Sequence, residues 1–204
     1  MPRPADGMSF NFGNLTAPLG EAGTGDGLVV SFNLWDSGDG SPDPAIYVQV
    51  DGVIYGSAAM AEPAPGSPNH GTPPTDPLTG EPMTITTGDY FAPVTIKLDK
   101  DGTVDVSYKN VLIIDNVATP YVPRTGQFGF GARTGGANST HWVDDLAIVV
   151  NADESEPLID VTAPGDLIVA SSENSPPGEA VPFVIDNDSG TKYLNFDGAN
   201  GGVT

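Results

Sequence analysis

Two glycine-rich stretches that lie far apart in the chain carry residue types suited to binding a small polar ligand. They are PADGMSFNFG, from Pro4 to Gly13, and GQFGFGARTGGANSTHWVDDLAI, from Gly126 to Ile148. In each, an alternating apolar strand adjoins a short polar loop, an arrangement by which a β-sandwich presents a carboxylate and backbone N–H groups to a ligand. Sugars need such a fixed acceptor, together with donors and an apolar surface for the C–H face of the ring.

The residues of these stretches can supply the acceptor and the donors. Asp6 can accept hydrogen bonds from two hydroxyl groups, and Asn138 can add an amide donor. The backbone N–H groups of Gly135 and Gly136 can approach a ligand closely because no Cβ intervenes. Two plainer interpretations stay open, in which the Asp-Gly pair is an ordinary turn and the later loop only connects two strands.

A second group of oxygen-bearing residues lies in the acidic loop LWDSGDGSPDP. Calcium takes about six to eight oxygen ligands, several of them from carboxylates. The loop can offer oxygens from Asn33, from the carbonyl of Trp35, and from Asp36, Asp39 and Asp43. The alternative is a solvated acidic turn that holds no metal.

Composition restricts the partners of the chain. Acidic residues number 27 against 7 basic ones in 204 residues, which gives a formal charge of -20. Such a surface repels phosphate backbones and anionic lipids, so the sequence predicts neither nucleic-acid binding nor membrane insertion, while neutral glycans and divalent cations remain possible partners. The charge also suits solubility in an extracellular setting. Cysteine is absent, which excludes disulfides, thiolate zinc sites and a cysteine nucleophile.

The elements that must position these residues are short strands separated by turn signals. Period-two apolar patterns predict an all-β, antiparallel β-sandwich. Asp51-Gly52, Lys100-Asp101-Gly102 and Lys109-Asn110 indicate hairpin turns. The predicted strands are Met8–Phe12, Leu28–Trp35, Ala45–Val50, Val53–Tyr55, 94–99, 103–108, 111–115, Gln127–Arg133 and Trp142–Val150.

Composition shifts divide the chain into three parts. Residues 1–150 are expected to form the sandwich, and the Pro-rich segment 56–88 is expected to be a surface insertion too poor in apolar residues to join the core. Residues 151–163 are expected to be an acidic linker, and 164–204 an incomplete further domain. The start, MPRPADG, lacks the features of a signal peptide, so any export signal is expected to lie upstream.

Three pieces in order carry a resemblance to a known family. They are PADGMSFNFG, LVVSFNLWDSGDGSPDPAIYVQVDG and GFGARTGGANSTHWVDDLAI. With them Pro4 to Ile148 resembles the concanavalin A-like, L-type (legume-type) lectin domain of large bacterial extracellular proteins. The resemblance implies a jelly-roll sandwich, incomplete at its N-terminus because several strands precede the first piece in such lectins, and an extracellular or cell-surface location. The tail SENSPPGEAVPFVIDNDSGTKYLNF resembles the opening of discoidin-like, galactose-binding-type domains.

The resemblance also implies roles for individual residues. Asp6 and Gly7 match the Pro-Ala-Asp-Gly motif, in which a cis peptide, here Ala5-Asp6, aims the carboxylate at sugar. Thr134, Gly135 and Gly136 match the sugar-contact loop of such lectins.

At the metal loop the sequence departs from the family pattern. The first metal-binding Asp of the family is here Asn33, the preceding acidic position is Ser31, and the metal-binding His is missing from AIYVQVDG. A transition metal is therefore not expected, and calcium remains the candidate cofactor.

Several other polar and aromatic residues have structural interpretations. His141 matches a family histidine that supports the loop, while His70 falls in the Pro-rich segment. Trp35 and Trp142 can stack on sugar but are expected in the core.

The rival functions are an enzyme and a spacer. A retaining, laminarinase-like glycoside hydrolase needs two carboxyls about 5 to 5.5 Å apart, which on a strand means acidic residues at alternate positions. The nearest such pair, Glu154 and Glu156, falls in the linker, so no catalytic residue and no enzyme activity is predicted. A spacer domain of an adhesin would use the sandwich without any ligand. The sequence therefore predicts carbohydrate binding, with calcium as a compatible cofactor.

Overall fold

The structure is a computed structural model. It describes residues 4–15, 19–23, 26–35, 43–61 and 71–150, together with the backbone of 159–160. These residues form ten β-strands, and no helix occurs among them. In that part of the chain, accordingly, there is no helix of the length and apolar character that crossing a membrane requires.

Eight of the strands build two antiparallel sheets, which confirms the predicted all-β, antiparallel architecture and is compatible with a β-sandwich. The five-stranded sheet has the order β4-β3-β2-β1-β8, and the three-stranded sheet has the order β5-β6-β7. The strands are β1 (Gly7–Gly13), β2 (Leu28–Asn33), β3 (Ala45–Val50), β4 (Val53–Ala59), β5 (Val94–Leu98), β6 (Thr103–Tyr108), β7 (Val111–Ala118) and β8 (Gln127–Arg133).

The core forms from alternate residues of facing strands. Leu28, Val30 and Phe32 of β2 belong to one buried cluster with Val104 and Val106 of β6. Because side chains alternate across a strand, the intervening residues of β2 lie on the other face of the five-stranded sheet. That second face carries the polar residues described below.

The predicted hairpin turns are confirmed. Asp51 and Gly52 both have positive φ, at 48° and 79°, and they connect β3 to β4. Lys109 and Asn110, at 52° and 62°, connect β6 to β7. Positive φ at both central residues is what a two-residue hairpin of matching twist requires.

The Pro-rich segment 56–88 is not wholly a surface insertion, so this expectation is wrong. Its first residues, through Ala59, belong to strand β4. Met60 and Met83 are fully buried in the core cluster. Residues 62–70 lie outside the described residues.

Beyond the two sheets the chain differs from the predicted organisation. The first compact unit ends at Ser139 and the second begins at Thr140, whereas the predicted boundary was 150. The expected strand Trp142–Val150 is wrong, because only its end forms β9 (Val149–Val150), which pairs with β10 (Ile159–Asp160). β10 lies inside the predicted linker 151–163. The rest of that linker and the discoidin-like segment 164–204 lie outside the described residues.

Candidate functional site

Asp6 is held at the point where the chain enters β1. The Ala5-Asp6 peptide bond is cis, as the resemblance implies. The Asp6 N–H donates to the Arg133 carbonyl at 2.9 Å, and the Asp6 carbonyl accepts from the Leu34 N–H at 2.8 Å. Its backbone is therefore fixed on both sides, between the ends of β2 and β8.

The carboxylate of Asp6 meets the glycine loop that follows β8. A Cβ placed on Gly135 would lie 3.6 Å from Asp6 Oδ2 and 3.9 Å from Oδ1. β1 and β8 pair in antiparallel register, with Gly7 opposite Arg133, so the start of one strand lies beside the end of the other. The pairing of these strands thus brings together two stretches that are far apart in sequence.

Arg133 connects Asp6 to a second carboxylate. Its Nε lies 3.1 Å from Asp6 Oδ2, and its Nη2 lies 2.9 Å from Glu21 Oε1. Neither the Arg133–Asp6 pair nor Glu21 was predicted, because nothing in the spacing of the sequence relates residue 21 to residue 133.

Glu21 is positioned by a loop that packs on the polar face of the five-stranded sheet. Ser9 donates from its hydroxyl to the Gly20 carbonyl at 2.6 Å, and Asn11 Nδ2 donates to Ser9 Oγ at 2.9 Å. A Cβ on Gly131 would lie 2.6 Å from Leu19 Cβ, so only glycine in β8 allows the loop to pack this closely.

These residues border a cleft of about 230 Å³. Ligands of drug size fill pockets of about 300 to 1,000 Å³, so this cleft suits a smaller group such as a single sugar ring. The residues that decide its chemistry are Asp6, Glu21, Asn33, Trp35, Asp43 and Arg133.

The remaining residues that line the cleft include polar side chains, Tyr47 and Gln49, and apolar ones, Ala22 and Ile54. Tyr47 donates from its hydroxyl to Asp43 Oδ1 at 2.7 Å, and Gln49 Nε2 donates to Ser31 Oγ at 3.2 Å. Asn33 Oδ1 is buried and has no hydrogen-bond partner among the described residues. Trp35 is 37% exposed, so its predicted place in the core is wrong.

The other residues predicted to contact sugar are not all at the cleft. Gly7 is buried within β1, where a Cβ would collide with the Phe32 carbonyl oxygen, so its role is close packing of the backbone. The Gly135 N–H, expected to face a ligand, instead donates to the Ala137 carbonyl at 3.1 Å. None of the predicted sugar contacts in this loop lines the described part of the cleft: Thr134, Gly135, Gly136 and Asn138.

The predicted calcium ligands are only partly described. Asn33, Trp35 and Asp43 line the cleft, whereas Asp36 and Asp39 lie outside the described residues. Within the described ranges, no three acidic or histidine side chains are grouped so that they could hold a metal ion. Asn33 and Asp43 thus offer oxygens for a cation, but fewer than calcium requires.

The two histidines do not belong to the cleft as described. His70 lies outside the described residues. His141 and Trp142 are half-buried residues of the second unit.

Comparison with known proteins adds no identification. No protein-family model, no curated protein and no solved structure matches the chain. The sheets support a β-sandwich, while the concanavalin A-like jelly roll remains a prediction.

Proposed function

We propose that the first compact unit is an extracellular, lectin-like module that binds carbohydrate in the cleft beside Asp6. One observation carries the proposal: Asp6 lines the cleft, and the side-chain-free backbone of Gly135 lies beside its carboxylate. A carboxylate beside an open stretch of backbone is suited to accept hydrogen bonds from sugar hydroxyls at close range.

The residues of the cleft offer hydrogen-bonding groups and an aromatic surface for a sugar. Asp6 Oδ2 accepts from Arg133, whereas Oδ1 has no protein donor among the described residues, so Oδ1 is the acceptor left for a sugar hydroxyl. Asn33 also lines the cleft, where its side-chain amide can donate to a sugar hydroxyl. The exposed face of Trp35 is suited to pack against the C–H face of a sugar ring.

Calcium is proposed as a compatible cofactor, with Asn33, the Trp35 carbonyl, Asp36, Asp39 and Asp43 as its candidate ligands. The support is the loop sequence, together with the fact that Asn33, Trp35 and Asp43 all line the cleft. Calorimetric titration of the chelator-treated protein with calcium tests this directly, and a flat titration contradicts it.

The experiment for the main proposal is a glycan array followed by calorimetry. We expect the wild-type protein to bind one class of neutral glycan and Asp6→Asn to bind it about tenfold or more weakly, because hydrogen bonds to charged groups contribute about 1.5 to 3 kcal/mol. Asp99→Asn is the matched control, since Asp99 pairs with the exposed Lys97 on the other sheet. Equal binding by Asp6→Asn would contradict the proposed site.

The same samples separate the rival functions. A spacer domain would bind no glycan on the array, with or without calcium. A hydrolase would release reducing sugar from a β-glucan, for which the cleft offers Asp6, Glu21 and Asp43 as carboxylates. We favour binding over hydrolysis because Asp6 and Glu21 share the guanidinium of Arg133 and Asp43 accepts from Tyr47.

A further inference from the structure

Three charged side chains that line the cleft form a chain of contacts. Glu21 contacts Arg133, and Arg133 contacts Asp6. The two carboxylate side chains are 18% and 16% exposed, whereas Arg133 is 61% exposed. Arg133 is therefore the most solvent-exposed of the three side chains, and all three line the cleft.

The geometry of the guanidinium suits it to join two fixed points. Arg133 uses Nε for Asp6 and Nη2 for Glu21, two N–H groups held at a set angle by the planar fork. A lysine ammonium carries the same charge at a single point and lacks that fork. Only an arginine is therefore well suited to hold both carboxylates in this arrangement.

Both ends of the bridge are anchored by the scaffold. The backbone of Asp6 is bonded to the ends of β2 and β8. The loop that carries Glu21 is held by Ser9, which donates to the Gly20 carbonyl. The backbone that carries each carboxylate is thus anchored, and Arg133 Nε contacts Asp6 Oδ2 between them.

We propose that Arg133 and Glu21 are positioning residues for Asp6, a role that rests on the carbohydrate-binding function proposed above. Arg133 fixes the rotation of the Asp6 carboxylate by binding Oδ2, and this presents Oδ1 to the ligand. Glu21 acts through Arg133 and does not need to touch the sugar. Pre-positioning of this kind strengthens binding because the acceptor does not have to be ordered when the ligand arrives.

The test measures affinity for the methyl glycosides of glucose, mannose and galactose by calorimetry. Arg133→Met is expected to bind about tenfold more weakly than wild type, and Arg133→Lys is expected to recover part of the loss. Glu21→Gln is expected to weaken binding several-fold in the wild-type background and to have no further effect in Arg133→Met, because its action passes through the missing guanidinium.

Salt provides a readout that a purely structural role would not change. Exposed ion pairs are screened by salt, so wild-type affinity for a neutral sugar should fall as sodium chloride is raised, while that of Arg133→Met should not. Arg124→Met is the matched control, since Arg124 lies 2.7 Å from Asp51 and 3.7 Å from Asp26 and does not line the cleft as described. Thermal unfolding of each variant verifies that it folds. If Arg133→Met does not fold, Arg133→Lys and Glu21→Gln are sufficient to test the positioning role.

The outcomes separate this inference from the function on which it rests. Loss of binding in Asp6→Asn with undiminished binding in Arg133→Met overturns the positioning role and leaves the sugar site intact. Additive effects of Glu21→Gln and Arg133→Met, or equal salt dependence in both backgrounds, overturn the positioning role as well. Absence of binding by the wild-type protein overturns both proposals.

Discussion

Lys109 Nζ lies 2.8 Å from Asp76 Oδ2, and both side chains are almost fully buried. Lys109 belongs to the turn between β6 and β7, whereas Asp76 comes from the Pro-rich region, 33 residues earlier. Beside this pair, Tyr108 donates from its hydroxyl to the Ile85 carbonyl at 2.7 Å. Burial raises the pKa of the Tyr108 phenol, which keeps the group protonated as a donor. These contacts bind the Pro-rich region to the three-stranded sheet.

The first prediction concerns acid stability. The hydrogen bond from Lys109, followed by that from the Leu78 N–H, lowers the pKa of Asp76 below its ordinary value of 3.8. Because the folded form holds this proton more weakly than the unfolded chain, the stabilisation is fully present above about pH 5 and is lost as pH falls below about 4. Asp76→Asn should therefore be less stable at pH 7 and lose less stability between pH 5 and pH 3.

Urea unfolding followed at several pH values measures this effect. Asp99→Asn is the control, because the Lys97–Asp99 pair is exposed and such pairs contribute little. Lys109→Met should destabilise more than Asp99→Asn, since it leaves the Asp76 carboxylate buried without its cation. Parallel pH profiles for wild type and Asp76→Asn would contradict the assigned role of the pair.

The second prediction concerns the core. Met83 is fully buried in the core cluster, although its local sequence is polar and Pro-rich. Met83→Ala should reduce the free energy of unfolding by about 2 to 5 kcal/mol, through lost apolar contact and the cavity that remains. Leu78→Ala is the control in the same segment, because Leu78 is 81% exposed and should change stability little. A decrease no larger than that of Leu78→Ala would argue against this packing.

Local signals in the sequence were sufficient for the strands and turns of the two sheets. Asp51-Gly52 and Lys109-Asn110 determine tight hairpins through their own backbone preferences, so no distant information is needed. The alternating pattern of Trp142–Val150 led to a wrong strand prediction. A period-two pattern indicates which face a residue would occupy, but not whether a neighbouring strand is present to pair with.

Contacts between residues far apart in sequence were predicted only where a family motif implied them. The meeting of Asp6 and Gly135 followed from a resemblance, whereas the bridge from Asp6 through Arg133 to Glu21 had no sequence signal. The burial of Met60 and Met83 was missed for a related reason. Isolated apolar residues among prolines have no periodicity, and their burial depends on the three-dimensional path of the chain.

The third prediction tests the glycine loop beside Asp6. Gly135 does not have a positive φ, so alanine can adopt its backbone conformation. The added Cβ would lie 3.6 Å from Asp6 Oδ2, an ordinary contact distance that leaves the fold intact but fills space beside the acceptor. Gly135→Ala should weaken sugar binding about tenfold, equivalent to about 1.4 kcal/mol, with unchanged thermal unfolding.

Gly136→Ala provides the matched control for this loop. A Cβ on Gly136 would have no neighbour within 4 Å, so its addition should leave both binding and stability unchanged. The comparison is made by calorimetry on the same methyl glycosides. If both alanine variants bound as tightly as wild type, a sugar hydroxyl would not lie between Gly135 and Asp6.

The fourth prediction concerns the charge of the ligand. Among the described residues, the cleft is lined by the carboxylates of Asp6, Glu21 and Asp43 and by one guanidinium, that of Arg133. The whole chain has a formal charge of -20. A carboxylate on the sugar would be repelled, so the methyl glycoside of glucuronic acid should bind several-fold more weakly than that of glucose, with a smaller gap at high salt. Asp43→Asn should narrow the gap and Asp99→Asn should not, as measured by calorimetry. Tighter binding of the uronic acid would mean that Arg133 recognises the ligand carboxylate directly, which contradicts the preference for neutral sugars.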